Sequence, residues 1–225
     1  MESPLFLHEE VLLLALSDTK GTIERAAWYQ QMVGGAVLAE LLLAGRVEAV
    51  KERKKVFVEV RSRAPLGDPL IDEWLGTIAL AKKRRQIGDW LGRIARTKRL
   101  KERVARRLVE RGVLAARENK VLWVFNRVRY PEADGGPERD VRARLEAAIF
   151  GESTDVDPRT IVLLSLAQRG DLLPALFGKK ALKPRKERIE LLTSGELVGD
   201  ALKATIQAIT VAVIIAPTVA VAAAT

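Results

Sequence analysis

The spacing of apolar residues along the chain predicts a mainly helical fold. Residues 6–16 form a nearly continuous apolar run with two acids near its start, as in a buried helix whose N-terminus favours negative charge. A longer helix is predicted over 22–44, where Gly45 is placed to end it. Further helices are predicted over 70–81, 87–112 with a break near Arg96 and Thr97, 139–150, 158–168, 171–177, 184–193 and 197–216.

Two segments have the pattern of β-hairpins. In residues 46–62 a charged turn precedes a strand in which Val56, Val58 and Val60 alternate with other residues. Residues 113–129 predict a second hairpin, with its turn at 117–120. Each hairpin follows a helix and a glycine. Winged-helix nucleic-acid-binding domains share this order, but so do many unrelated folds in which it only reverses the chain.

The composition indicates a globular chain with an aliphatic core. The chain has 225 residues, enough for one domain or two small ones, and 48% of them are hydrophobic although only 5% are aromatic. Charged residues make up 30%, which indicates a well-solvated surface and argues against disorder.

The positive charge is concentrated in one stretch. The formal net charge is +9, and residues 82–107 alone hold twelve Lys or Arg against Asp89 and Glu102. This stretch therefore carries +10, and the rest of the chain sums to about −1. A merely solvated surface would not need such clustering, so we predict a polyanionic partner, either a membrane surface or a nucleic acid.

The end of this stretch predicts an amphipathic helix with a basic surface. On a helical wheel, Val104 and Leu108 fall close to Leu100 and form one apolar stripe. Cations flank this stripe on both sides: Arg99, Arg103 and Arg106 on one, Lys98 and Lys101 on the other. We therefore expect the helix to bury the stripe and to present cations to headgroups or to phosphates.

The second hairpin has apolar side chains where a half-buried strand would alternate. Leu122, Trp123, Val124 and Phe125 are consecutive, so both faces of the strand need a cover. That cover is the domain's own helices, a second copy of the chain, or a membrane interface, where Trp is favoured. We predict self-association or membrane contact here.

Motifs for catalysis and for cofactors are absent from the sequence. It has no cysteine, no Gly-rich phosphate loop and no nucleophile elbow, and its one histidine, His8, lies beside an apolar run. We interpret the acid pairs at 9–10 and 72–73 as surface residues that favour helix N-termini. We therefore expect no enzyme, no cofactor and no metal site.

Five segments resemble the Golgi phosphoprotein 3 family in the right order, over roughly residues 5–216. They are LFLHEEVLLLALSDTKGTI (5–23), LAELLLAGRV (38–47), APLGDPLIDEWL (64–75), KERVARRLVERGVL (101–114) and DPRTIVLLSLAQRGDLLPALF (157–177). The chain looks like a compact prokaryotic relative without the long acidic N-terminal arm of eukaryotic members. The resemblance implies a single domain over 1–216, with residues 217–225 as a tail of unknown role. The implied fold is a central hydrophobic helical bundle wrapped by amphipathic helices, with a projecting hairpin.

The same resemblance implies a peripheral membrane protein that binds phosphatidylinositol 4-phosphate and holds membrane enzymes through their cytosolic tails. The family's headgroup site uses a Trp and an Arg on the second helix and two Arg three residues apart. In this chain the last two positions match Lys98 and Lys101, which keep the charge without the planar fork of arginine. The first two match Arg25 and Gly34, and Trp28 lies one turn from Arg25. The family's hairpin, linked to oligomerisation, matches 117–128.

These observations predict a cytoplasmic protein on the inner face of a membrane, bound to anionic phospholipid. We expect the headgroup residues to be Lys98, Lys101, Arg25 and Trp28. A nucleic-acid-binding protein is the alternative. The weakly basic tip predicted at 117–120 and the apolar strand beside it favour the membrane.

Overall fold

A computed structural model describes residues 4–17, 20–23, 28–121, 125–196, 203 and 206–207. Helices make up most of this part of the chain, and the strands pair as two separate antiparallel hairpins, so the predicted mainly α fold is confirmed. In chain order the elements are α1 (Leu7–Ala15), α2 (Tyr29–Leu43), β1 (Val47–Glu52), β2 (Lys55–Val60), α3 (Pro69–Ala79), α4 (Ile87–Ala95), α5 (Leu100–Glu110), β3 (Arg117–Val121), β4 (Phe125–Arg129), α6 (Gly136–Phe150), α7 (Pro158–Arg169), α8 (Leu173–Phe177), α9 (Lys179–Leu182), a 3₁₀ turn (Lys183–Arg185) and α10 (Lys186–Ser194).

The centre of the fold is formed by α1, α2 and α7. Every residue of α1 is buried, and so are residues 32–41 of α2 and residues 160–167 of α7. Helix α1 packs on α2, α5, α6 and α7, while α4 packs on α2. The outer helices α4 and α5 are amphipathic and bury one stripe each, which in α5 includes the predicted Leu100, Val104 and Leu108.

The two helix–glycine–hairpin units have the same local geometry. Gly45 and Gly112 take positive φ values of 62° and 72°, which glycine adopts at low cost. The next amide in each case, Arg46 N or Val113 N, donates to a carbonyl of the last helical turn at 2.8 Å. These contacts end α2 and α5 and direct the chain into the hairpins, as the pattern predicted.

The predicted turn of the second hairpin is wrong. Residues 117–120 belong to β3, where Arg117 pairs with Arg129 and Val121 pairs with Phe125. The polar run 117–120 suggested a turn, but a two-stranded hairpin is held by backbone hydrogen bonds that do not require apolar side chains. The last described pair of this hairpin is therefore Val121 with Phe125.

The interpretation of Glu9 and Glu10 as surface residues is also wrong, because both are buried. Glu9 accepts from Phe6 N at 2.8 Å, and Glu10 accepts from Arg144 Nη2 at 2.5 Å. Burial raises the pKa of Glu10, against the opposing charges of Arg144 and Arg159. The apolar core thus contains carboxylates that are paired with arginines of other helices.

A second buried pair fixes the start of α1. Glu40 of α2 accepts two hydrogen bonds from the guanidinium of Arg159, at 2.8 and 3.0 Å, and a third from Leu7 N at 2.6 Å. Arg159 also donates to Leu5 O at 3.0 Å. Since a bidentate pair fixes orientation as well as distance, this contact sets how α1, α2 and α7 meet.

Candidate functional site

A pocket of about 650 Å³ lies at the N-terminus of α5, beside the end of β4 and the segment between α1 and α2. Its wall is strongly basic, with five cations and one carboxylate. The lining residues are Thr22, Arg99, Lys101, Glu102, Arg103, Arg106, Val128, Arg129 and Tyr130. Such a concave, positively charged surface suits a small anionic group.

Several of these cations have no hydrogen bond or salt bridge to the described part of the chain. They are Arg99, Arg106 and Arg129, and all three are exposed. Lys101 has only a long contact of 3.9 Å to Glu102 and lies 5.5 Å from the centre of the Tyr130 ring. The pocket therefore holds positive charge that the fold itself leaves available to a ligand.

The first turn of α5 adds to this positive potential. Arg99, the residue before the helix, has a left-handed backbone with φ 54° and ψ 39°, and no side chain caps the first turn. The first amides of a helix have no partner within it and carry the positive end of the helix dipole. Because Arg99, Lys101 and Glu102 line the pocket, an anion bound there lies close to these amides.

Three arginines in and directly after α5 form salt bridges that hold the helix against its neighbours. Arg103, Arg107 and Arg111 follow one another at one-turn intervals, and each contacts a carboxylate of another helix or its cap: Glu73, Asp68 and Glu9. Arg103 lies on the flank of α5, as the helical wheel predicted, and Glu73 also accepts two hydrogen bonds from it at 2.6 and 3.2 Å. The basic surface of α5 thus contains arginines that pair with acids and hold the helix, and others at the pocket that have no salt bridge to a described residue.

Tyr130 is a buried residue that lines the pocket. Burial raises the pKa of its phenol, and the negative charge of Glu102 adds to this effect while Arg106 opposes it. The phenol is thus protonated at neutral pH and is a hydrogen-bond donor. Sequence reasoning missed Tyr130, Arg129 and Thr22, because only folding brings β4 and the α1–α2 segment against α5.

Gly21 allows the segment between α1 and α2 to pack closely against the chain at the end of β4. Its φ is 60°, and its carbonyl accepts a hydrogen bond from Tyr130 N at 3.1 Å. A Cβ at this position would lie 2.3 Å from the backbone of Tyr130 and of Pro131. No side chain fits there without moving β4 away from the segment.

We therefore expect Gly21→Ala to lower the free energy of unfolding by more than Gly45→Ala. Both changes place a side chain in the left-handed region, which costs roughly 1–2 kcal/mol. Only Gly21 adds a backbone clash, since the space around Gly45 is open. Urea denaturation of the two variants measures the difference. Equal losses would show that the contact between Gly21 and β4 is not tight in solution.

The structure brings only part of the predicted headgroup site together. Lys101 lines the pocket, whereas Lys98 is exposed on the α4–α5 connection, next to Arg99 but outside the lining. Trp28 is 41% exposed and also lies outside the lining. Its neighbour Tyr29 has a raised pKa, caused first by burial and then by the charge of Glu102, so the start of α2 is close to α5.

Other predicted positions give different outcomes. Gly34, matched to a family arginine, is buried, and a Cβ there would lie 2.9 Å from Leu91 O of α4, so it serves helix packing. Arg25, Leu122, Trp123 and Val124 lie outside the described residues, as does the side chain of Phe125. The membrane or self-association role of 122–125 stays a prediction.

The family that the sequence matches and the lengths of the helices both bear on the function of the site. Over residues 7–209 the sequence matches the family model described as Golgi phosphoprotein 3 (GPP34). Within the part of the chain that the structure describes, no helix has the length and apolar character needed to cross a membrane.

Proposed function

This chain belongs to the Golgi phosphoprotein 3 family, and from that membership we propose that it binds anionic phospholipid headgroups at a membrane surface through the pocket at the N-terminus of α5. The observation that carries the proposal is that Arg99, Arg106 and Arg129 line this pocket without a salt bridge to any described residue, and that Lys101 has only a long contact to Glu102. The family resemblance makes phosphatidylinositol 4-phosphate the first lipid to test.

The charges in the pocket suffice for reversible binding. Each cation close to an anionic membrane contributes about 1 kcal/mol. Arg99, Lys101 and Arg106 together then supply roughly 3 kcal/mol, to which the amides of α5 add a favourable field. This range suits a protein that binds membranes peripherally and leaves again.

The pocket also offers the geometry that phosphate prefers. Lys98 and Lys101 replace two arginines of the family pattern and lack the planar fork of guanidinium. Arg99, Arg106 and Arg129 supply such forks from neighbouring positions. With the phenol of Tyr130 as a further donor, these groups support recognition of a phosphorylated headgroup.

We expect the protein to sediment with vesicles that contain phosphatidylinositol 4-phosphate or phosphatidylserine, and not with vesicles of phosphatidylcholine alone. Raising the salt concentration should release it, because the Debye length falls from about 10 Å at 0.1 M to about 3 Å at 1 M. Equal sedimentation with neutral and anionic vesicles at every salt concentration would refute the proposed function. Binding of enzyme tails and self-association stay predictions from the resemblance.

A further inference from the structure

We propose that the first hairpin and the α3–α4 connection form a second membrane contact, in which Leu80 enters the lipid interface and the surrounding cations bind anionic headgroups. We call this region the Leu80 surface, and it consists of Lys51, Arg53, Lys54, Lys55, Leu80, Lys82 and Lys83. The inference rests on the proposed function, because it adds a second contact with the same membrane.

The α3–α4 connection and the first hairpin form one continuous surface. Val58 N of β2 donates to Arg85 O at 3.2 Å, and Phe57 forms a β-bridge with Gln86. Arg84 lies 4.7 Å from the centre of the Phe57 ring. The connection therefore lies along β2 and adds its lysines to those of the hairpin.

Positive charge on this surface exceeds what the fold neutralises. Arg84 pairs with two acids of the hairpin, Glu52 at 2.8 Å and Glu59 at 2.6 Å. Six further cations are exposed and have no hydrogen bond or salt bridge to any described residue: Lys51, Arg53, Lys54, Lys55, Lys82 and Lys83. Seven cations and two acids leave a net charge of +5.

The turn of the first hairpin also contributes to this excess of positive charge. Arg53 has φ 54°, a left-handed backbone that asparagine or glycine adopts more readily. Its side chain makes no hydrogen bond or salt bridge to a described residue that would offset this strain. A charged residue at this position therefore adds positive potential to the tip at some expense of hairpin stability.

Leu80 is an exposed apolar side chain within this basic surface. It is 78% exposed, against 41% for Trp28 and 40% for Leu191, the other large apolar side chains exposed in the described part. Its amide donates to Gly76 O at 3.0 Å, so the end of α3 fixes its position. A single exposed leucine is common, but this one lies two residues before Lys82 and Lys83.

An anionic membrane fits this combination better than a nucleic acid does. Phosphates of either partner would satisfy the lysines. Only a lipid interface also removes Leu80 from water, which is favourable in proportion to the apolar area covered. We therefore assign the Leu80 surface to a lipid partner, and duplex DNA becomes a control.

The Leu80 surface lies close to the pocket. Glu73 of α3 holds Arg103 at the pocket wall, and Leu80 follows seven residues later. At 1.5 Å per residue this is about 10 Å along the helix. One membrane can thus contact both sites, and the second site would increase the affinity of the first.

The absence of cysteine from the chain allows a direct test. A single cysteine at Leu80→Cys, labelled with an environment-sensitive nitrobenzoxadiazole dye, should show a blue-shifted and stronger emission with phosphatidylserine vesicles. The matched control is the same label at Lys180→Cys, an exposed position outside both sites, where we expect no change. Unchanged emission at position 80, while the protein sediments with the vesicles, would overturn this inference and leave the pocket proposal intact.

Two further variants separate the possible outcomes. Leu80→Ser should weaken vesicle binding by about tenfold, the order expected when one leucine is no longer withdrawn from water. Lys82→Ala with Lys83→Ala should weaken it more than Lys179→Ala with Lys180→Ala, which removes the same charge elsewhere. Retention of vesicle binding in the Lys82 variant together with loss of binding to duplex DNA would overturn the lipid assignment. Absence of vesicle binding by the unmodified protein would instead refute the proposed function.

Discussion

Replacing Asp68 by alanine is expected to lower the free energy of unfolding by about 3–5 kcal/mol, because it removes the cap of α3 and leaves the buried side chain of His8 without its carboxylate partner. Asp68 is 1% exposed and caps α3 by accepting from Leu70 N and Ile71 N, both at 2.9 Å. Its second oxygen lies 3.5 Å from His8 Nε2 and 3.4 Å from Arg107 Nε. One carboxylate thus joins α1, α3 and α5. Chemical denaturation followed by circular dichroism measures the loss.

Asp68→Asn is the matched control for this prediction. Asparagine is as good an N-cap as aspartate, so the cap of α3 should be retained while the charge is lost. We expect a loss intermediate between the unmodified protein and the alanine variant. If Asp68→Ala costs only about 1 kcal/mol, the value of an ordinary cap, the carboxylate does not hold the three helices together.

The pH dependence of stability provides a second readout of the same group. Burial acts to raise the pKa of Asp68, but the hydrogen bond and charge of His8, with the Ile71 amide and Arg107, outweigh it and lower the pKa. The folded pKa is then below the unfolded value of about 4, so the stabilisation is complete above pH 4 and is lost as the pH falls through the folded pKa. The difference in stability between the unmodified protein and Asp68→Asn should shrink in that range.

The pKa of Glu10 is shifted in the opposite direction to that of Asp68. Burial raises its pKa, so the folded state binds a proton more readily than the unfolded state. Its contribution therefore falls as the pH rises from about 4 through the folded pKa. Glu10→Gln removes this titration, and the stability of that variant should depend less on pH in this window.

The triple variant Arg99→Ala, Lys101→Ala and Arg106→Ala is expected to weaken binding to phosphatidylserine vesicles by roughly 100-fold at low salt, about 1 kcal/mol for each cation. All three residues line the pocket, and within the described part of the chain their one salt bridge is the 3.9 Å contact of Lys101 with Glu102. Its free energy of unfolding should therefore change by no more than about 1 kcal/mol. Co-sedimentation over a series of lipid concentrations measures the affinity.

The control for this variant removes the same charge from another surface. Lys179, Lys180 and Lys183 are exposed and have no hydrogen bond or salt bridge to a described residue. Their replacement by alanine should weaken binding only slightly. Lys98→Ala alone should have less effect than Arg106→Ala, because Lys98 lies outside the pocket lining. If the control triple lost as much affinity as the pocket triple, net charge alone would determine binding.

Local features of the fold were predictable from the sequence. The periodicity of α5 and the glycines at 45 and 112 specify helix ends and hairpins through contacts only a few residues apart. The turn of the second hairpin was misplaced, because polar residues at 117–120 satisfy either a turn or an exposed strand. Strand pairing decides between the two, and it is not a local property.

The sequence could not show which cations of α5 form salt bridges and which stay available to a ligand. Arg103 and Arg106 look alike in the sequence and both line the pocket, yet Glu73 pairs with the first while the second has no salt bridge to a described residue. The acids that pair with α5 come from α1 and from the start and middle of α3. Lys101 was predicted both from the helical wheel and from the family pattern. Tyr130 was not found at all, since it reaches the pocket by long-range packing.

The central claim, that the pocket at the N-terminus of α5 binds a phosphorylated headgroup, is tested most directly by calorimetric titration with inositol 1,4-bisphosphate, the water-soluble headgroup of phosphatidylinositol 4-phosphate. Without a bilayer, the Leu80 surface and residues 122–125 have no lipid to enter. We predict saturable one-to-one binding to the unmodified protein and to the variant lacking Lys179, Lys180 and Lys183. The Arg99, Lys101 and Arg106 triple variant should show none. Equal binding by that folded triple variant, or no saturable binding by the unmodified protein, would contradict the claim.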